Sequence, residues 1–295
     1  MMKTAWPEEL VHAAACRRAV LFFGAGVSMN AVGKDGKTRT PNWADFLKFA
    51  CKENGSTNKS INREIVGLIE KKDFLTAAEV IKNTIGKAKF IDVLKKHFHL
   101  PDFGSAAIHD HLFQLDLRIS ITPNVDAIYE AAVGKRGAGA VTVKNYFDED
   151  VADSLRRHER VLIKSHGSVS QPTKIIFTRS DYAEARNKHS EFYELIDALL
   201  RTHTFLFVGC GLDDPDIRGL LENYRYRHPS GQSHYFVTAK GIMSDAVKQV
   251  IQESMKINIV EYESTADHRY LTTSLQGLVR LVEASRIDIA KSQSW

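Results

Sequence analysis

Four short clusters of glycine and polar residues each follow directly on an apolar run. The first is Gly24-Ala25-Gly26-Val27-Ser28. Glycines of this kind let backbone N–H groups approach a pyrophosphate, and the N-terminus of a following helix favours its charge. The usual third glycine is missing, so a plain strand-to-helix turn accounts for the cluster equally well on its own. The second is Thr122-Pro123-Asn124-Val125-Asp126. An amide and a carboxylate side by side suit recognition of a ribose and a carboxamide, and Asp126 equally suits a helix N-cap. The third is Lys164-Ser165-His166-Gly167. A histidine can act as a general base near neutrality, and the glycine beside it admits a substrate closely, although a His-Gly pair also makes an ordinary turn. The fourth runs from Gly209-Cys210-Gly211-Leu212 through Asp213, Asp214, Pro215 and Asp216. Its glycines suit packing against an adenine ribose or a phosphate, while Asp213 or Asp214 suits the cap of a helix opened by Pro215.

The elements that must carry these clusters follow from hydrophobic patterning. Compact apolar runs at 19–23, 118–122, 140–143, 160–163, 204–208, 234–238 and 257–261 read as buried strands. Helical spacing is expected over 7–18, 105–116, 126–133, 151–158, 189–201, 216–226, 245–255 and 267–284. From Trp43 to about Leu100 the pattern is helical throughout, as at Phe46, Phe49 and Ala50 and at Phe90, Val93 and Leu94, so this stretch reads as an inserted all-helical module. The polar segment 30–40, with Gly33 and Gly36, reads as a mobile loop suited to a lid, and 291–295 as a loose tail. Short strands alternating with helices indicate right-handed βαβ units and a largely parallel sheet, which binds ligands at the carboxyl ends of its strands. All four clusters fall there.

With 295 residues, 43% hydrophobic and 26% charged, the chain has an ordinary globular balance in one large α/β domain. The net charge of +4, from 40 basic and 36 acidic side chains, gives no indication of direct nucleic-acid binding, which needs a clustered basic face. The three cysteines, Cys16, Cys51 and Cys210, are far apart, so neither a disulfide framework nor a thiolate zinc site is expected, and each reads as a small buried hydrophobe. His109 and His111, like His97 and His99, are spaced by two and do not suit paired metal ligands on one helix face. No metal site is expected. Trp43 and Phe46 read as core residues of the helical module, and Arg156, Arg157 and Arg160 as a solvated face. The N-terminus lacks a secretory pattern and no run reaches membrane-span length, which makes the cytoplasm the expected compartment and leaves no membrane partner.

Taken in order, G-A-G-x-S, T-x-N-x-D, K-x-H-G and G-x-G-x-x-D-P-D resemble the SIR2-like family, and within it the bacterial branch of NAD-cleaving anti-phage defence systems. The resemblance spans roughly Ala19 to Thr238. It implies a single SIR2-like domain over 1–295 with a Rossmann-like, doubly wound sheet, into which the helical module over 43–100 is inserted. It also implies that NAD is the substrate, that Asn124 and His166 are catalytic and that Asp126 holds the carboxamide. Gly24, Ala25, Gly26 and Ser28 then line the phosphates, and Gly209, Gly211 and Leu212 the adenosine half. Two features depart from the sirtuin deacylases: there are no paired cysteines for their zinc module, and Pro123 replaces a common glutamine. Lysine deacylation is therefore disfavoured, while cleavage of the nicotinamide–ribose bond stays available.

The chemistry so implied passes through an oxocarbenium-like transition state, with nicotinamide leaving as a neutral molecule. Linear ADP-ribose is the expected product, with cyclic ADP-ribose as a variant. Two other readings stand beside the NAD hydrolase: a module that binds NAD or ADP-ribose without turnover, and, further off, a protein deacylase. Little of the chain lies outside the resembling region, so a sensor is expected as a separate partner, such as a ring-forming ATPase, together with assembly into a homo-oligomer.

Overall fold

All seven runs expected as strands pair into one sheet. The computed structural model describes residues 4–53, 59–135, 141–157, 159–212, 214–265 and 267–292. Along the chain lie α1 (Glu8–Ala15), β1 (Ala19–Phe23) and the single-turn α2 (Ala25–Ser28), then α3 (Trp43–Glu53), α4 (Lys59–Glu70), α5 (Phe74–Ile85) and α6 (Lys87–Phe98). There follow α7 (Ala107–Gln114), β2 (Ile119–Thr122), α8 (Ile128–Gly134), β3 (Val141–Asn145), α9 (Val151–Arg156) and β4 (Arg160–Lys164). The second half contains α10 (Arg179–Lys188), α11 (Ser190–Thr202), β5 (Thr204–Val208), α12 (Pro215–Arg227) and β6 (His234–Ala239), then α13 (Asp245–Met255), β7 (Ile257–Tyr262) and α14 (Arg269–Ser292).

The strand order is β3-β4-β2-β1-β5-β6-β7 and every pairing is parallel. The chain leaves β1 on one side for β2, β3 and β4, then crosses back to lay β5 against the other edge of β1. That reversal opens a crevice at the carboxyl ends of β1 and β5, the usual ligand position in a doubly wound sheet.

Alternation along β1 explains why both faces of the sheet must be covered. Leu21 and Phe23 enter a core shared with α1, α7, α8 and α14, whereas Val20 and Phe22 enter the opposite core under α10, α11 and α12. All five β1 residues are buried, and each large side chain contributes about 1.5–3 kcal/mol by leaving water. Helices α3 to α6 fill the chain between β1 and β2 and pack around Phe46, Leu47, Ile65, Ile81, Phe90 and Leu94. Their core also takes in Val125 and Ile175, from the segments that follow β2 and β4.

Several expectations need correction. A helix absent from the sequence reading, α10, occupies Arg179–Lys188, and a 3-10 turn covers Pro172–Lys174. Arg160 is not part of a solvated face: it lies in β4, with its guanidinium paired to Asp116 and over the ring of Phe113. Asp116 also receives Arg17 and, at 3.6 Å, Arg286. Cys51 is buried, but Cys16, beside His12 at the end of α1, and Cys210 are only half-buried. Helix α14 runs to Ser292, so Lys291 is helical rather than part of a tail. Ala140, His158 and Asp213, on which other expectations fell, lie outside the described residues, as do 293–295.

Candidate active site

The four clusters line one cavity of about 460 Å³ at the carboxyl edge of the sheet. Gly24, Ala25, Gly26 and Ser28 reach it from the loop after β1, Asn124 and Asp126 from the loop after β2, His166 from the loop after β4, and Gly209, Gly211 and Asp214 from the loop after β5. Leu212 does not line it; that side chain packs instead onto the core under α11 and α12. The opposite wall is aromatic and comes largely from the helical segment, with Trp43, Phe74 and Phe98 facing Phe177. Trp43, expected in the core, is thus a half-buried wall residue, and its buried indole N–H has no partner among the described residues.

The glycines are first of all packing devices. A Cβ on Gly24 would lie 2.6 Å from the Cβ of Cys210, and one on Gly26 would lie 2.8 Å from the carbonyl oxygen of Gly209. Gly209 itself has φ +61°, which L side chains rarely adopt, and a Cβ there would meet the N of Val27 at 2.8 Å. The loops after β1 and β5 therefore interlock. The N–H groups of Gly24 and Gly26 are consumed in doing so, by the carbonyls of Val208 (3.0 Å) and Gly209 (2.7 Å). Ala25, as the first residue of α2, keeps an N–H with no intrahelical acceptor. Because α2 is a single turn, the sizeable dipole expected behind the first cluster is absent.

Asn124 is 9% exposed and fixed from two sides. Its backbone N–H donates to Thr122 Oγ1 at 3.1 Å, and its Nδ2 donates to Ser28 Oγ at 2.9 Å. Ser28, expected beside the phosphates, thus has its hydroxyl turned to the Asn124 amide. Asp126 is buried and accepts the N–H of Ile128 at 3.1 Å, but it sits one residue ahead of the N-cap of α8, which is Ala127, so it is not the cap expected from the sequence. Asp126 also lines the cavity. Behind it lies the completely buried His109, whose pKa is lowered by burial and whose Nδ1 accepts the N–H of Ala106 at 3.0 Å.

The sequence reading missed two partners of His166. Its Nε2 lies 3.0 Å from Asp214 Oδ2 and 3.3 Å from the hydroxyl of Tyr182, which also donates to Asp214 Oδ2 at 3.0 Å. The other oxygen of Asp214 caps α12, accepting from the N–H groups of Asp216 and Ile217 at 3.0 Å each. One carboxylate thus ends a loop, starts a helix and orients the histidine. Burial pushes the Asp214 pKa up, but the charge of His166 and hydrogen bonds from His166, Ile217 and Tyr182 outweigh it, so the net shift is downward. Burial and the neighbouring Asp214 raise Asp216 and push Tyr182 well above its ordinary value. Burial pushes the Cys210 thiol up to about 12, which makes it an inert packing group. Gly167, at φ +78°, keeps the strap through Lys174 and Ile175 tight against the His166 turn, where a Cβ would meet the Lys174 carbonyl oxygen at 2.8 Å.

Residues 118–260, which carry Asn124 after β2, His166 after β4 and the glycine loop after β5, match the family model for a SIR2-like domain. Over this stretch, just under half of its length, the chain resembles the SIR2-like family. The chain is 24% identical over 265 residues to "Defense-associated sirtuin 2" of Bacillus subtilis, covering 88% of the chain and 24% of that protein. It is 24% identical over 230 residues to "NAD(+) hydrolase ThsA" of Enterococcus faecium, covering 77% and 44%. The chain therefore spans 24% and 44% of the length of these two relatives. A solved structure from "Structural Basis for the Mechanism and Regulation of Sir2 Enzymes" aligns with a TM-score of 0.47 at 14% identity, over 95% of this chain and 99% of that one. Among the described residues no group of three or more histidines, cysteines, aspartates or glutamates is placed to hold a metal, and no helix is long and apolar enough to cross a membrane.

Proposed function

We propose that this chain hydrolyses NAD to ADP-ribose and nicotinamide, as an effector in anti-phage defence. One observation carries the reading: Asn124 and His166 line one cavity beside the interlocked glycine loops, with His166 braced by Asp214. Two relatives support it by name, one as an NAD(+) hydrolase and one as defence-associated.

In this mechanism the pyrophosphate lies against the loops of Gly24 to Gly26 and Gly209 to Gly211, with the N–H of Ala25 as a donor. Asp126 accepts from the carboxamide. The bond between the nicotinamide nitrogen and ribose C1′ breaks with its electron pair going to the ring, which leaves uncharged. The free Oδ1 of Asn124 orients the water or a ribose hydroxyl against the developing oxocarbenium ion. With Asp214 holding Nε2, Nδ1 of His166 takes the proton from the attacking water, whose oxygen forms the new bond to C1′. The aromatic wall keeps other water away from the cation.

An NAD hydrolase must be held off in its own cell, so the proposal includes assembly: a homo-oligomer, switched on with a sensor such as a ring-forming ATPase. Incubation with NAD alone and product analysis tests the chemistry. Release of nicotinamide with ADP-ribose supports it; binding without turnover, in the isolated chain and in its assembled form alike, refutes it.

A further inference from the structure

Behind the two loops that carry Asn124 and His166 lies an ion pair that the cleavage chemistry does not use. Lys164 ends β4 two residues before His166, and none of its side chain is exposed. Its Nζ donates to the backbone carbonyl of Asp126 and, at 2.7 Å, to Oε1 of Glu130 on α8. Glu130 is largely buried, and burial raises its carboxyl against the attraction of Lys164. Two backbone bonds run alongside, from Ser165 N–H to the Thr122 carbonyl (2.9 Å) and from Val169 N–H to the Val125 carbonyl (2.8 Å). They fix Thr122 and Val125, while the Asp126 carbonyl is held by Lys164.

A buried ion pair is a poor source of stability, because desolvation consumes much of its attraction and matched apolar residues fill the same space at no loss. What directional hydrogen bonds from one ammonium do supply is a set distance between chain segments. Here those segments are the strand leading to His166, the loop holding Asn124 and Asp126, and the helix that follows. We infer that Lys164 and Glu130 are positioning residues that hold the Asn124–Asp126 loop in register with His166. The inference rests on the NAD-cleaving reading for its kinetic readout and is independent of it for its structural one.

The test uses the full chain carrying Lys164→Met together with Glu130→Leu, which conserves volume roughly and strands no charge. The thermal midpoint is expected to hold or rise, while amide hydrogen exchange at Val125 to Ile128 quickens by at least about tenfold. The Kd for ADP-ribose, which meets the untouched glycine loops, stays within about threefold, while kcat/KM for NAD falls by about thirtyfold or more. At Glu130 alone, Gln keeps an acceptor for Lys164 and is expected to stay within about threefold of wild type, whereas Ala loses about tenfold in kcat. A folded double variant with wild-type exchange and turnover overturns the inference. If the double variant does not fold, equal exchange and turnover in the Ala and Gln variants overturns it instead. If the wild-type chain turns over no NAD in any state, the cleavage reading fails and the exchange comparison still decides the positioning role.

Discussion

Replacing Asp214 by Asn tests whether the carboxylate held against His166 serves the chemistry or only the fold. The two oxygens of Asp214 separate these roles. Oδ1 caps α12, and Asn caps helices about as well as Asp, so the variant keeps its helix start and its thermal midpoint to within a few degrees. Oδ2 faces His166 Nε2 at 3.0 Å. Both side chains are 12% exposed, so solvent screens the pair only partly. With charge centres about 4 Å apart and an effective dielectric of about 20, a carboxylate stabilises an imidazolium by about 4 kcal/mol, equivalent to about a thousandfold in rate. The amide nitrogen of Asn would in addition donate to Nε2, which moves the ring proton to Nδ1 and removes the base. Quantified release of nicotinamide at saturating NAD is the assay. It should show kcat down by about a thousandfold with KM changed less than about fivefold. A folded Asp214→Asn protein whose kcat stays within about fivefold of wild type would refute the base assignment and leave Asp214 as a helix cap.

His166→Ala should fold and bind ADP-ribose as wild type does, with turnover down at least about a hundredfold; near-normal turnover would end its catalytic role. Asn124→Ala should depress kcat more than KM, because its amide acts in the transition state, and a change confined to KM in steady-state kinetics would contradict this. Asp126→Ala should weaken NAD more than ADP-ribose in calorimetry, whereas unchanged affinities for both ligands would leave Asp126 only its bond to the Ile128 N–H ahead of α8. A stability test lies at the far end of the sheet, where His234 is buried with its pKa lowered to about 3 and its Nδ1 accepting the Phe205 N–H at 3.1 Å. The unfolded chain binds the extra proton between that value and about 6.5, so stability is full above this window and declines as pH falls through it, by about 1.4 kcal/mol at pH 5.5. His234→Asn keeps an acceptor and should remove that part of the decline in thermal melts, and an unchanged decline would show that other groups carry it.

Strand positions were legible because each parallel strand must be apolar on both faces, as the all-buried Ala19–Phe23 and Thr204–Val208 are. Helix α10 was not, since only Tyr182 and Ala185 of its ten residues are buried and its surface carries no apolar stripe. With that helix went Tyr182, and nothing local in the sequence marks it as a neighbour of His166. Asp214 was singled out as a capping residue, which it is, but its bond to His166 crosses 48 positions and depends on β4 and β5 lying on either side of β2 and β1. The glycines were legible by type and not by purpose: a phosphate and an interlocking loop both demand the missing side chain, and only the spatial pairing of Gly24 and Gly26 with Cys210 and Gly209 separates the two. Arg160 shows the converse, a charge in a basic run that tertiary pairing with Asp116 draws partly inward.

Hydrogen-bond bookkeeping then separates the groups that build the site from those left to meet a ligand. Buried polar groups are expected to be satisfied, so a group still free at a cavity wall is informative. Thr122 Oγ1 is consumed by the Phe23 carbonyl at 2.7 Å and by the Asn124 N–H, Ser28 Oγ by the Asn124 amide, and both oxygens of Asp214 by α12, His166 and Tyr182. Among the described residues no protein partner takes up Asn124 Oδ1, His166 Nδ1, the N–H of Ala25 or the indole N–H of Trp43. In the proposed mechanism the first two serve as acceptor and base, from the loops after β2 and β4. In the same proposal the third is a donor to the pyrophosphate at the interlocked glycine loops. The fourth belongs to the helical wall, and an unmet buried donor there costs about 1–3 kcal/mol until something accepts from it. At this cavity wall the four free groups fit the proposed dinucleotide, and the groups that are spent hold them in place, whereas unpaired buried atoms such as Thr40 Oγ1 and Ser165 Oγ take no part in that proposal.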